Sequence, residues 1–194
     1  MNELREKTAT LHRATETAFD LRASCASLAN YSNLLRTLLA VYRPLERRLD
    51  RVDWNTTTID WKNRRKTALL ETDLIALREP CNVQESDQAA TIPLRSTAGA
   101  IGCLYVLEGS TLGGQYILKH IERTLGLTQQ KGAAFFAGYG AATRERWASF
   151  GAAADAYAGD DAERIADAID AASWTFSCFE MSFHQARTKS LATM

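Results

Sequence analysis

The chain has 194 residues, which fits one domain over residues 1–194, and its 23 Lys plus Arg balance 23 Asp plus Glu. A formal net charge of zero excludes the basic surplus that a general nucleic-acid binder needs to displace counterions. Hydrophobic residues make up 46%, enough for a sizeable core, and 31 Ala and 22 Leu against 4 Val read as all-α. The longest uncharged, mostly apolar stretch, residues 96–107, is too short for a membrane helix. Glu3, Arg5, Glu6 and Lys7 open the chain with no apolar segment behind them, so no signal peptide is expected. Cys25, Cys81, Cys103 and Cys178 are dispersed without a C-x-x-C pair, as in a reduced cytoplasmic protein.

Helical periodicity starts at once. Leu4, Thr8, Leu11, His12, Thr15 and Phe19 give one face to a helix over 2–19. After a loop at 24–30, a long helix over 31–52 turns Leu34, Leu35, Leu38, Leu39, Tyr42, Leu45 and Leu49 inward, with a bend expected at Pro44. The three consecutive threonines in 53–61 read as a loop. A helix over 62–79 follows, and the polar, breaker-rich 80–93 reads as a surface connection. Residues 94–125 are helical in pattern but interrupted by glycines, and Gly126 suits a C-terminal cap. Beyond a glycine-aromatic segment at 135–140, helices over 141–157 and 160–187 complete a bundle of about seven helices.

The three histidines (His12, His120, His184) form neither H-x-x-x-H nor E-x-x-H, which argues against a multi-ligand metal site. His12 has two readings. Beside Leu11 on an apolar face it fits a hydrogen-bonded core histidine, the reading that spacing alone favours; the other is an axial ligand to haem iron, which takes one protein nitrogen. Arg5 lies two turns earlier, roughly 10 Å along the axis, within reach of a haem propionate or simply exposed. The run Gly109-Ser110-Thr111-Leu112-Gly113-Gly114 sits where the sequence otherwise asks for helix. Each interior glycine costs about 0.5–1 kcal/mol against Ala, so the run needs a reason. A bare strip against which a flat ligand lies, with a kink, is one reason; close helix–helix contact is the other.

Together these features are specific. The segment Leu4-Arg5-Glu6-Lys7-Thr8 with His12 and Glu16 resembles the proximal helix of haem oxygenases. The run from Tyr105 through Glu108, Gly109, Ser110, Gly113 and Gly114 to Gln115 resembles their distal helix. Phe135-Phe136-Ala137-Gly138-Tyr139-Gly140 with Trp147, and Trp174-Thr175-Phe176 with Phe179-Glu180, are similar to the bacterial biliverdin-producing branch associated with bacteriophytochromes.

The resemblance implies an all-α haem-oxygenase bundle with a glycine-kinked distal helix. His12 would be the iron ligand, with Arg5 a propionate partner and Glu16 a further cofactor-binding residue of the same helix. Gly109, Ser110, Gly113 and Gly114 would form the distal, catalytic side. Haem would be cofactor and substrate, opened with O2 to biliverdin, CO and ferrous iron. No flavin or nicotinamide motif is present, so electrons would come from a separate donor such as a ferredoxin or reductase, and a bacteriophytochrome would receive the biliverdin. Ser110 stands where mammalian-type enzymes carry an aspartate, so a different proton network is expected. Ser173 and Ser177 stand where those enzymes place basic propionate contacts, so the second anchor is unassigned; Arg187 or Lys189 could serve, or either is a solvated terminal charge. A non-catalytic haem carrier or sensor on the same fold is the alternative. Thiamin-related hydrolysis, with Cys103 as nucleophile, is a more distant one.

Overall fold

The computed structural model describes residues 1–192, with side chains placed through Thr188. Among the described residues there are nine α-helices: α1 (Asn2–Ala18), α2 (Leu21–Ser24), α3 (Leu28–Leu49), α4 (Thr67–Ala76), α5 (Asp87–Thr91), α6 (Thr97–Leu125), α7 (Ala134–Ala137), α8 (Thr143–Ala158) and α9 (Ala162–Ala192). The expected count of about seven falls between these nine and the six that exceed two turns. No helix among them is long and apolar enough to cross a membrane.

Local chemistry sets the ends. Ser27, Ser86 and Ser96 accept the amides of Asn30, Ala89 and Gly99, supplying first-turn partners to α3, α5 and α6. Gly126 closes α6 in the left-handed region, at φ 65°. α3 runs unbroken through Pro44, and α6 runs unbroken through all its glycines.

Two segments differ from the sequence reading. Residues 62–79 do not form one helix: a 3-10 turn (Lys62–Arg64) precedes α4, because Arg64 and Lys66 are drawn inward to acidic partners. The 80–93 connection is not purely superficial either, since α5 buries Ala89 and is followed by buried Ile92.

α6 is the axis of the bundle. From Ala98 to Glu108 it is enclosed at every residue but Tyr105, which is half-buried. α9 lies along it so closely that a methyl at Gly102 would overlap the Ala168 carbonyl. α1 packs on α9, α3 packs on α4 and α9, and Tyr31, Leu35, Leu39, Tyr42, Leu45, Leu49 and Phe150 fill the shared core. Beyond Glu108, α6 leaves the core, and among residues 109–125 only Gly114 and Ile121 are buried.

Candidate functional site

The stretch of α6 outside the core carries apolar side chains with nothing over them. Leu112 is 42% exposed and Tyr116 73%. With Tyr105, Gly109 and Gly113 they recur at helical spacing and share one face. The glycines named by the sequence divide here. A Cβ on Gly113 would have no atom within 4 Å, and one on Gly109 would touch only the Trp147 ring, at 3.6 Å. Gly114 faces elsewhere: it is buried against α7, where a Cβ would stand 2.8 Å from the Phe136 carbonyl oxygen. Gly109 and Gly113 therefore belong to the open face, and Gly114 to a backbone contact.

His12 lies on the shoulder of α1 and not in its buried stripe, which runs through Leu4, Thr8 and Ala18. Its side chain is 56% exposed, so the core-histidine reading is overturned. One edge of the imidazole meets the Phe176 ring of α9 at 5.5 Å, and Nε2 stands 3.6 Å from a Glu16 oxygen, beyond hydrogen-bond length. Phe176 also meets Tyr105 of α6 at 6.5 Å, and Tyr105 meets Trp147 of α8 at 5.6 Å. His12 and the open face of α6 are thus joined by an aromatic floor of Phe176, Tyr105 and Trp147. Burial raises the Tyr105 phenol above its ordinary value, opposed by hydrogen bonding with Thr8 and by the charge of exposed Arg5. Arg5 therefore belongs to the same neighbourhood.

Ser110 stands beside the open face and is held on both sides. Its single hydroxyl proton goes to the Leu107 carbonyl at 2.8 Å, three residues back and not the four expected of a helical serine. In the 3.1 Å contact with Tyr42 the phenol must therefore donate. Tyr42 is fully enclosed, and burial pushes its phenol well above the ordinary value. The sequence placed Tyr42 only in the α3 core. A buried tyrosine hydroxyl needs a partner, which was the available signal.

Glu108, next to Gly109, does not reach the open face. It is buried between Arg64 and Lys66, accepting from Lys66 Nζ at 2.8 Å and from the Tyr139 hydroxyl at 2.7 Å. Burial lowers the Lys66 ammonium, and Glu108 opposes that shift.

The remaining candidates lie elsewhere. His120 contacts Arg123 at 3.2 Å and His184 stands 3.9 Å from Glu180, each within its own helix. Ser173 returns its hydroxyl to the Ile169 carbonyl, and Arg187 is exposed near the end of α9. The Lys189 side chain lies outside the described residues. Cys103 is enclosed, with burial pushing its thiol up to about 12, which disqualifies it as a nucleophile.

Residues 1–185 match the family model described as Heme oxygenase. A curated heme oxygenase of Xanthomonas campestris pv. campestris is 34% identical over 95 residues, covering 48% of this chain and 53% of that protein. The match thus spans about half the length of that relative. Among solved structures, the NO- and CO-bound heme oxygenase of Neisseria meningitidis has a TM-score of 0.82 at 20% identity, over 95% of this chain and 90% of that one. The heme oxygenase of Leptospira interrogans has a TM-score of 0.75 at 21% identity, over 94% and 97%. At these identities the likeness is one of fold.

The different surroundings of the glycines give opposite expectations for the same substitution. Gly113→Ala should stabilise the ligand-free protein by about 0.5–1 kcal/mol, the helix-propensity gain. Gly114→Ala should destabilise it by about 1–3 kcal/mol, because a methyl must displace the Phe136 backbone. Urea denaturation of both variants measures the two signs.

Proposed function

The chain belongs to the haem oxygenase family, and from that premise we propose that it opens haem to biliverdin with release of CO and ferrous iron. The observation that carries the proposal is the bare face at Gly113, with no atom within 4 Å of its Cβ position, on the same aromatic floor as the exposed His12 imidazole. The residues present fit a haem. They offer one imidazole, exposed apolar surface from Leu112 and Tyr116, and an Arg5 cation for a propionate. When bound, haem supplies both the iron that takes O2 and the ring carbon that is oxidised.

Each residue then has a task. The His12 imidazole would hold the iron, and a nitrogen ligand would spare it the electron push that a thiolate gives. Glu16, one turn on, borders the imidazole, its carboxylate 3.6 Å from Nε2 and short of a hydrogen bond. Gly109 and Gly113 would present bare backbone to a bound haem, with no side chain of their own to supply an acid. The carboxylate next to Gly109 in sequence, Glu108, is turned into its ion pairs. Protons are held instead by the Tyr42–Ser110 hydroxyl pair, in which burial keeps the phenol protonated. Electrons come from a separate protein of the ferredoxin or reductase class. Delivery of biliverdin to a bacteriophytochrome belongs to the same proposal, supported by the resemblance of the 135–140 and 174–180 segments.

Adding haem, a reductant and O2 to the protein tests this reading. The Soret band should decay as biliverdin absorption grows, and a Soret band that persists would make the protein a carrier or sensor. His12→Ala should lose the native ferric spectrum while His120→Ala keeps it; the reverse would move the iron ligand to α6.

Ser110→Ala should keep haem binding and lose less than about tenfold in turnover, because Tyr42 retains its proton. Loss of all biliverdin with haem binding intact would make the serine itself the proton gate.

A further inference from the structure

Residues 134–139 lie across α6 and are gripped at three points. At the start, the two carboxylate oxygens of Asp73 accept the amides of Ala134 at 2.7 Å and Phe135 at 2.8 Å. In the middle, Gly114 admits the Phe136 carbonyl, and Gln115 donates to the Ala137 carbonyl at 2.8 Å. At the end, the Tyr139 hydroxyl donates to Glu108 and accepts from Lys66 Nζ at 2.6 Å. Asp73 and Glu108 are 0% and 1% exposed.

Such a grip exceeds what packing requires. Helices can be packed by apolar side chains alone, whereas a buried carboxylate is tolerated only with every lone pair engaged. Burial pushes the Asp73 carboxyl up to about 6, opposed by its two amide donors. The gripped segment also reaches the hydroxyl pair. The Phe135 ring stands edge-on to Tyr42 at 5.2 Å, and Tyr42 donates to Ser110. One short piece of chain therefore touches the backbone of α6 at Gly114 and the phenol that serves Ser110.

We propose that Asp73 and Glu108 are positioning residues that clamp the two ends of segment 134–139, and that this segment sets where the Gly109–Gly113 face and the Tyr42–Ser110 pair stand over bound haem. The proposal rests on the haem oxygenase reading above. Neither carboxylate touches the ligand. Each acts through the segment: Asp73 through the α7 amides, and Glu108 through Tyr139.

Asp73→Asn and Tyr139→Phe, made in the full chain, test it. In the haem-free protein, amide hydrogen exchange should accelerate on the order of tenfold or more at residues 109–115. It should stay unchanged at 118–124 of the same helix. With haem added, the pH midpoint of the ferric optical transition should move while haem is still bound. Uniform acceleration along α6, or none, with an unmoved midpoint, would reduce the clamp to ordinary structural support and overturn the proposal. Should Asp73→Asn fail to fold, Tyr139→Phe decides alone, since it removes a single hydroxyl. If the unmodified chain takes up no haem, the functional reading fails, while the exchange pattern still decides the clamp.

Discussion

A helix that must touch two neighbours with its backbone and leave a further stretch bare can be built only where side chains are missing. α6 meets that constraint with glycines at different heights: Gly102 and Gly113, eleven residues apart, share a face, and Gly114 points a quarter-turn away. Gly102 brings it against the Ala168 carbonyl of α9, Gly114 against the Phe136 carbonyl, and Gly113 against nothing. The first two contacts hold the helix in place; at the third the helix surface stays open. The glycines weaken the helix by propensity, and close packing compensates at two of the three positions. The uncompensated one is where a ligand can supply what packing does not.

Electrostatics behind the same helix decides which groups stay away from that open surface. Arg64, Lys66, Glu46 and Glu108 are all buried, two cations with two carboxylates. Glu46 accepts the amides of Lys66 and Thr67, while Glu108 takes the side chains of Arg64 and Lys66. Removing one member would strand the others, at a cost of about 3–5 kcal/mol for a broken buried pair. The cluster ties α3, α6 and the 62–66 turn together around one charge centre. As a result the carboxylate adjacent to Gly109 is held away from the open face.

Much of this was legible in the sequence, for reasons that mark the limits. α1, α3 and α6 announce themselves because their apolar stripes are local, and Gly126 because a left-handed cap demands it. The turn at 62–64 was not legible, since Arg64 and Lys66 look like surface cations until Glu108, more than 40 residues away, is folded beside them. His12 was assigned to the apolar face because it follows Leu11. One residue is 100° of helix, enough to carry it from the buried stripe to its exposed shoulder. The role of Gly114 was hidden for a similar reason: adjacent glycines read alike in sequence, yet they point a quarter-turn apart.

The central claim is that the bare face at Gly113 is where haem lies. Gly113→Phe fills that face without touching the core, as the position is open to solvent. A haem titration of this variant, read at the Soret band beside a thermal melt of the ligand-free protein, tests the claim most directly. The account predicts that haem uptake falls by at least about tenfold, equivalent to about 1.4 kcal/mol, with the melt no lower than that of the unmodified chain. Haem uptake equal to that of the unmodified chain would contradict it.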